Sequence, residues 1–124
     1  MTRYLIPPNT PCVALVTNGG LNLYLFRQPL LGALRQRGWR ILLLAPFDTW
    51  VERIPSHLYD RYIPLQHFQP YARYAHRDRL FFQELYRHYG DLAPDVVLHF
   101  TAKPNIYGSL AASLRGIPSI PTVT

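Results

Sequence analysis

Short apolar runs that end at turn-forming residues constrain the fold of this chain more than any other feature. Residues 13–16 end at a Thr-Asn-Gly-Gly turn, and residues 41–45 end at a proline. Residues 96–98 form a third run, and residues 119–124 form a weaker, β-branched fourth. Apolar runs without alternation are typical of strands that are covered on both faces, as in parallel sheets.

Segments with helical spacing lie between these runs. In the first, Leu30, Ala33 and Leu34 line one face, and Gly38 supplies a stop signal. Pro29 predicts either a kink or a helix that begins there after an irregular turn, because a proline inside a helix costs about 3 kcal/mol.

Further helices are predicted along the rest of the chain. Asp48 caps a short helix that ends at Glu52, residues 78–89 form the longest helix, and residues 105–114 form the last. Residues 61–65 add an edge strand, where a proline is tolerated. Because strand and helix alternate, the predicted fold is α/β, a doubly wound parallel sheet with right-handed crossovers.

The composition excludes several classes of protein. At 124 residues the chain has room for one domain, and 48% apolar with only 16% charged residues argues against disorder. No apolar run approaches the roughly 20 residues that cross a bilayer, and the first residues lack the apolar core of a secretory signal. A single cysteine, Cys12, excludes a disulfide framework and a multi-cysteine zinc site. The histidines lack zinc-ligand spacing, so neither a metal site nor a cofactor is predicted.

The net charge of +6 predicts an anionic partner. Nucleic acid, an anionic membrane surface and a phosphorylated substrate all fit, and charge alone leaves them open. One loop-like stretch mixes aromatic and basic side chains. Such side chains can stack on nucleic-acid bases or lie on anionic lipid headgroups. The alternative is that they form only the end of an amphipathic helix and a loop. The members of this stretch are Tyr71, Arg73, Tyr74, Arg77 and Arg79.

Ligands of doubly wound sheets bind beyond the carboxyl ends of the strands, so the turns there are candidate sites. The paired Gly19 and Gly20 after the first run either let a ligand approach the backbone or form a tight turn only. The Gly-x-Gly-x-x-Gly and Walker signatures are missing, so no dinucleotide or P-loop site is assigned. The turn after the third run contains Lys103, the only lysine, and a candidate helix cap in Asn105. Gly108 in that turn allows close packing of helix on sheet.

Four segments, taken in order, resemble the N-terminal domain of family 4 glycosyltransferases, which are retaining enzymes of the GT-B fold. The segments are residues 16–20, 26–34, 95–98 and 103–112. The resemblance is to bacterial enzymes that build capsule, O-antigen or lipid-linked glycans. It implies a Rossmann-like N-terminal lobe in residues 12–124, truncated at its C-terminal end, after an N-terminal extension of residues 1–11.

The resemblance also implies roles for individual residues. The lobe binds mainly the acceptor, and a C-terminal lobe that is missing from the sequence binds the nucleotide sugar. The positions that approach the donor phosphates are Gly19, Gly20 and Arg27. The positions in the loop on the acceptor side are Thr101, Lys103 and Asn105. Related enzymes present a membrane or acceptor surface where residues 71–79 fall here.

The resemblance implies that the chain is the N-terminal portion of a glycosyltransferase. The enzyme would transfer a sugar from a nucleotide-sugar donor to a lipid-linked or polysaccharide acceptor. The chain alone is expected to be inactive, because it lacks a donor-binding lobe. No catalytic residue is assigned, because the donor lobe's glutamates are missing and His99 is out of phase with the family's histidine. A non-catalytic module that binds glycan, lipid or protein is the alternative, and nucleic-acid binding ranks last.

Further expectations concern location and assembly. The expected location is the cytoplasm, with peripheral attachment at the inner face of the membrane left open. An open sheet edge in a truncated lobe would favour a partner chain or a homo-oligomer.

Overall fold

The structure is a computed structural model that describes residues 9–68 and 75–122, with the side chains of all of these except residues 75 and 76. Its centre is one sheet of five parallel strands. These are β1 (Cys12–Val16), β2 (Arg40–Ala45), β3 (Arg61–Pro64), β4 (Val96–Phe100) and β5 (Ser119–Thr122). The order across the sheet is β3-β2-β1-β4-β5, so the strand order reverses between β1 and β4.

Helical segments connect the strands. They are α1 (Gly20–Asn22), a first π-helical turn (Leu23–Arg27), α2 (Gln28–Gln36), α3 (Thr49–Glu52), a 3-10 turn (Ser56–Leu58), α4 (Ala75–Leu92), a second π-helical turn (Pro104–Gly108) and α5 (Ser109–Leu114). The predicted α/β alternation and parallel sheet are confirmed. The strand predicted at residues 61–65 is β3, and it lies at the edge as expected.

Pro29 lies in the first turn of α2, directly after the first π-helical turn. A proline has no N–H to donate to the carbonyl four residues earlier, so the helix that starts at Gly20 loses its regular α-helical bonding just before this position. The prediction of an irregular turn before a helix at Pro29 is confirmed. The predicted apolar face was wrong at Ala33, which is exposed, because the helix rests on the sheet through the fully buried Leu23 and Leu31.

Alternate residues of β1 serve the two faces of the sheet. Val13 and Leu15 pack on the side of α2, and Ala14 and Val16 pack on the side of α4 and α5. This double coverage is the reason that the strand has no polar alternation. The predicted apolar face of α4 packs on the second side. Its buried and half-buried members are Phe81, Phe82, Leu85, Tyr86 and Tyr89.

The amino edge of the sheet is fastened by two aspartates. Asp60, just before β3, accepts the Ile41 N–H of β2 at 2.8 Å. Asp95, just before β4, accepts the Cys12 N–H of β1 at 2.7 Å. Each carboxylate thus satisfies an amide at the start of a neighbouring strand. Ligands of doubly wound sheets bind at the opposite, carboxyl edge.

Candidate functional site

The candidate site lies at the carboxyl ends of β1 and β4, which we call the switch point. Val16 near the end of β1 pairs with His99 of β4. The connection after β1 leads to α2 on one face of the sheet, and the connection after β4 leads to α5 on the other. In doubly wound sheets a ligand crevice forms where successive connections diverge in this way.

The turn after β1 is closed by Asp48, which lies just before α3. One carboxylate oxygen of Asp48 accepts the Gly20 N–H at 2.9 Å, and the other accepts the Val51 N–H at 3.0 Å. A Cβ at Gly20 would lie 2.6 Å from Asp48 Oδ1, so the close approach of α3 requires a glycine. The predicted capping of α3 by Asp48 is confirmed. The same carboxylate also occupies the amide that the sequence offers to a phosphate.

Arg27 ends the first π-helical turn and covers the end of β4. Its guanidinium carbon lies 4.4 Å from the centre of the buried Phe100 ring, and its Nε donates to Asn22 Oδ1 at 3.3 Å. Residues five apart are separated by about 140° around an α-helix. A π-helix brings such residues close together, since its hydrogen bonds join positions five apart. The π-helical turn is therefore what places Asn22 beside Arg27.

Thr101 directly follows β4 and has a φ of 72°, in the left-handed region that a β-branched residue rarely adopts. Its hydroxyl donates to the Phe100 carbonyl oxygen. Its own carbonyl accepts the Asn105 N–H at 3.0 Å, which holds the conformation. Backbone strain is thus stored next to the ring that Arg27 covers.

Asn105 binds β5 instead of capping a helix. Its Nδ2 donates to the Thr122 carbonyl at 2.6 Å, and its Oδ1 accepts the Thr122 N–H at 3.1 Å. Because β4 has ended at Phe100, the amide side chain takes the place of the next backbone partner of β5. The predicted cap was wrong for this reason: an amide matches both the donor and the acceptor of one strand residue.

Lys103 is held by Asp78, which lies in the first turn of α4. Lys103 Nζ is 2.8 Å from Asp78 Oδ1, and the Tyr107 hydroxyl donates to Asp78 Oδ2 at 3.0 Å. The hydrogen bond from Lys103 holds the pKa of Asp78 below its ordinary value, and the bond to Asp78 raises the pKa of Tyr107. Lys103 therefore ties the loop after β4 to the start of α4.

His99 and Tyr89 form a buried polar pair beneath the switch point. The Tyr89 hydroxyl and His99 Nε2 are 2.7 Å apart, and neither residue is more than 1% exposed. Burial lowers the pKa of His99 to about 4, so the imidazole is neutral at neutral pH, and burial raises the pKa of Tyr89. A Cβ at Gly108 would overlap the His99 ring, which confirms the close packing predicted for this glycine.

The site residues predicted in the turns after β1 and β4 fall into two groups. The turn that contains Gly19 and Gly20, together with Arg27, lies at the same end of the sheet as Thr101. Lys103 and Asn105 follow Thr101, but Lys103 is hydrogen-bonded to α4 and Asn105 to β5. The sequence did not predict the hydrogen-bond partners of these residues. Only the helix-cap pattern indicated one of those partners, Asp48.

The stretch predicted as a membrane or acceptor surface is described in part. Arg77 and Arg79 are exposed in the first turns of α4. Tyr71, Arg73 and Tyr74 lie outside the described residues. Within the described ranges, no helix is long and apolar enough to cross a membrane. The same ranges contain no group of three or more His, Cys, Asp or Glu side chains placed to hold a metal ion.

Comparison with known proteins shows the fold. No protein-family model and no curated protein sequence matches the chain. Among solved structures, MurG of Acinetobacter baumannii is 20% identical, with a TM-score of 0.67 over 91% of this chain and 35% of that chain. A UDP-N-acetylglucosamine 2-epimerase is 17% identical, with a TM-score of 0.70 over 91% of this chain and 32% of that chain. Other similar structures are named as glycosyltransferases.

The extent of these matches differs between proteins. This chain spans about a third of the length of MurG and of the epimerase. The C-terminal domain of a Pyrococcus furiosus hydrogenase is 16% identical, with a TM-score of 0.61, and it matches over 97% of this chain and 96% of that chain. A related epimerase structure, from Neisseria meningitidis, is bound to UDP-GlcNAc. The chain therefore has a Rossmann-like α/β fold that glycosyltransferases and nucleotide-sugar epimerases share.

Proposed function

We propose that this chain forms the acceptor-side part of a GT-B glycosyltransferase of the family 4 type. It would contribute to transfer of a sugar from a nucleotide-sugar donor to a lipid-linked or polysaccharide acceptor once a donor-binding unit is supplied. The observation that carries the proposal is the switch point, where the sheet order brings the turn after β1, Arg27 and the loop after β4 to one edge. The fold shared with glycosyltransferases supports it.

On the donor side, the proposal keeps the expectation that Gly19, Gly20 and Arg27 approach the phosphates. A leaving nucleoside diphosphate gains negative charge as the sugar departs, and a fixed cation stabilises that charge. The UDP-GlcNAc bound to the similar epimerase supports a nucleotide sugar as the kind of ligand.

On the acceptor side, Thr101, Lys103 and Asn105 would shape the loop that faces the acceptor. Arg77 and Arg79 are exposed at the start of α4, and Leu80 beside them is 41% exposed. Exposed arginines with an apolar neighbour suit an anionic lipid surface. The proposal accordingly includes a cytoplasmic location with attachment at the inner face of a membrane.

The test is to map where a nucleotide sugar and an acceptor bind. Amide NMR spectra of the chain would be recorded with UDP-GlcNAc and with glycolipid micelles, and transfer would be assayed with a donor-binding lobe fused after Thr124. We expect perturbations at residues 17–20 and 101–103, and turnover only in the fusion. The amides that Asp60 and Asp95 bind at the amino edge are the internal control. Equal perturbation of both edges, with no transfer by any fusion, would contradict the proposal.

A non-catalytic binding module is the second candidate. The hydrogenase domain supports it, because that domain has a similar fold over nearly the full length of both chains within a protein of another kind. A binding module predicts saturable binding of a glycolipid or protein in the same spectra, with no transfer by any fusion.

A further inference from the structure

The glycine turn does not offer its Gly20 amide to a ligand. That N–H is donated to Asp48, whose second oxygen is held by Val51. A phosphate that approached the turn would have to displace a carboxylate of its own charge. The Gly20 N–H is therefore not the group that binds a phosphate at the switch point, and a side chain near the turn is the better candidate.

Arg27 places a positively charged side chain against the end of β4. The ion pairs found in residues 9–68 and 77–122 use Arg35, His88 and Lys103 as their basic members, so Arg27 has no carboxylate partner within this part of the chain. Asn22 engages Nε, which is one of the five guanidinium donors. The outer nitrogens Nη1 and Nη2 form the edge that binds two oxygens of a phosphate or carboxylate side by side.

The surroundings of Arg27 restrict its motion. The ring of Phe100, which is 1% exposed, lies 4.4 Å under the guanidinium and fixes its plane. The bond to Asn22 fixes the rotation within that plane. A guanidinium that is already oriented loses less conformational freedom when it binds an anion.

We propose that Arg27 is the phosphate-binding residue of the switch point, with its outer nitrogens donating to two phosphate oxygens while Phe100 and Asn22 hold it in place. This inference rests on the proposed function for the source of the phosphate, which is either the nucleotide sugar or the headgroup of a lipid-linked acceptor. It makes the expectation for this site more specific, because the Arg27 side chain, and not the Gly20 N–H, donates to the bound phosphate.

The experiment is a calorimetric titration of the chain with inorganic pyrophosphate, with UDP and with vesicles that contain phosphatidic acid. Arg27→Gln should weaken binding roughly ten- to a hundredfold, the usual effect of losing charge-assisted hydrogen bonds. Arg53→Gln is the matched control, because this substitution removes the same charge. Arg53 also lies over an aromatic ring, with its guanidinium carbon 5.0 Å from the centre of Trp50. The control should leave the affinity within about twofold, as expected for a screened surface charge.

Two further variants separate orientation from charge. Arg27→Lys keeps the charge but loses the planar fork, and Asn22→Ala keeps Arg27 but frees its rotation. Both should weaken pyrophosphate binding several-fold, whereas a purely long-range charge effect would leave both unchanged.

The outcomes are distinct from those of the transfer assay. A stronger response to UDP assigns the phosphate to the donor, and a stronger response to vesicles assigns it to the acceptor headgroup. The inference is overturned if wild type binds none of the probes saturably, or if Arg27→Gln and Arg53→Gln behave alike. Arg27-dependent binding without transfer by any fusion would contradict the proposed function and leave this inference standing.

Discussion

Replacing His99 tests the buried pair beneath the switch point. His99 is fully buried, and burial lowers its pKa from 6.5 to about 4. In the unfolded chain the imidazole regains its ordinary pKa, so protons bind preferentially to the unfolded state. The stabilising effect of the neutral imidazole is complete above pH 6.5 and is lost as the pH falls from 6.5 towards 4.

The magnitude follows from these two pKa values. Between about pH 7.5 and about pH 5, linkage predicts that this residue lowers the free energy of unfolding by about 2 kcal/mol. In His99→Gln the side-chain amide can still form a hydrogen bond with the Tyr89 hydroxyl, but it does not titrate. The variant is therefore expected to lose about 2 kcal/mol less than wild type over the same interval.

Urea unfolding at the two pH values, followed by tryptophan fluorescence, measures the difference. His57→Gln is the control, since His57 is exposed, and it should keep the wild-type pH dependence. Should His99→Gln fail to fold, the ring protons of His99 in wild type can be titrated by NMR and should not shift above about pH 5. Equal pH dependence of wild type and His99→Gln, or a ring that titrates near its ordinary pKa, would refute the reasoning.

Three smaller changes test the contacts around the switch point. Asp48→Ala removes the cap of α3 and the partner of the Gly20 N–H, so its urea unfolding free energy should fall by about 1–2 kcal/mol, and Asp48→Asn should lose less. Gly108→Ala should lower it by roughly 1–3 kcal/mol, because the new Cβ overlaps the His99 ring. The control Gly32→Ala, with no atom within 4 Å of the new Cβ, should raise it by about 0.5–1 kcal/mol. Lys103→Met should raise the pKa of Asp78 in a carboxyl NMR titration, and more than Tyr107→Phe does, because Lys103 is the larger cause of the lowering.

The fold was predictable because its signals are local. The central strands β1 and β2 contain continuous apolar runs bounded by turn formers, and Pro29 shows where the first helix becomes irregular. The long helix shows its buried face in the spacing of its aromatic residues. Such patterns depend only on neighbours in the sequence, so a single chain displays them.

The two carboxylate contacts of the candidate site were not predictable, because each joins residues that are distant in sequence. Gly20 and Asp48 are 28 positions apart, and Asp78 and Lys103 are 25 positions apart. The sequence identified Gly20 and Lys103 as residues of interest, but it could not show that carboxylates of the same chain already bind them. Arg27 differs from both because its fixed position comes from a π-helical turn and an aromatic ring.

The hydrogen bonds of the edge strand β5 decide whether this edge favours association with another chain. The Pro118 carbonyl accepts the Val97 N–H of β4, and Thr122 is bonded on that same side by Asn105. Backbone groups of a strand point alternately to its two sides, so Pro121 faces the open edge, where it has no N–H to offer. An edge that lacks a donor in its middle is a poor template for another strand. The exposed apolar side chains of the last helical segment are therefore the stronger reason to expect association, which stays a prediction. They are Ile106, Leu110 and Leu114, each more than half exposed.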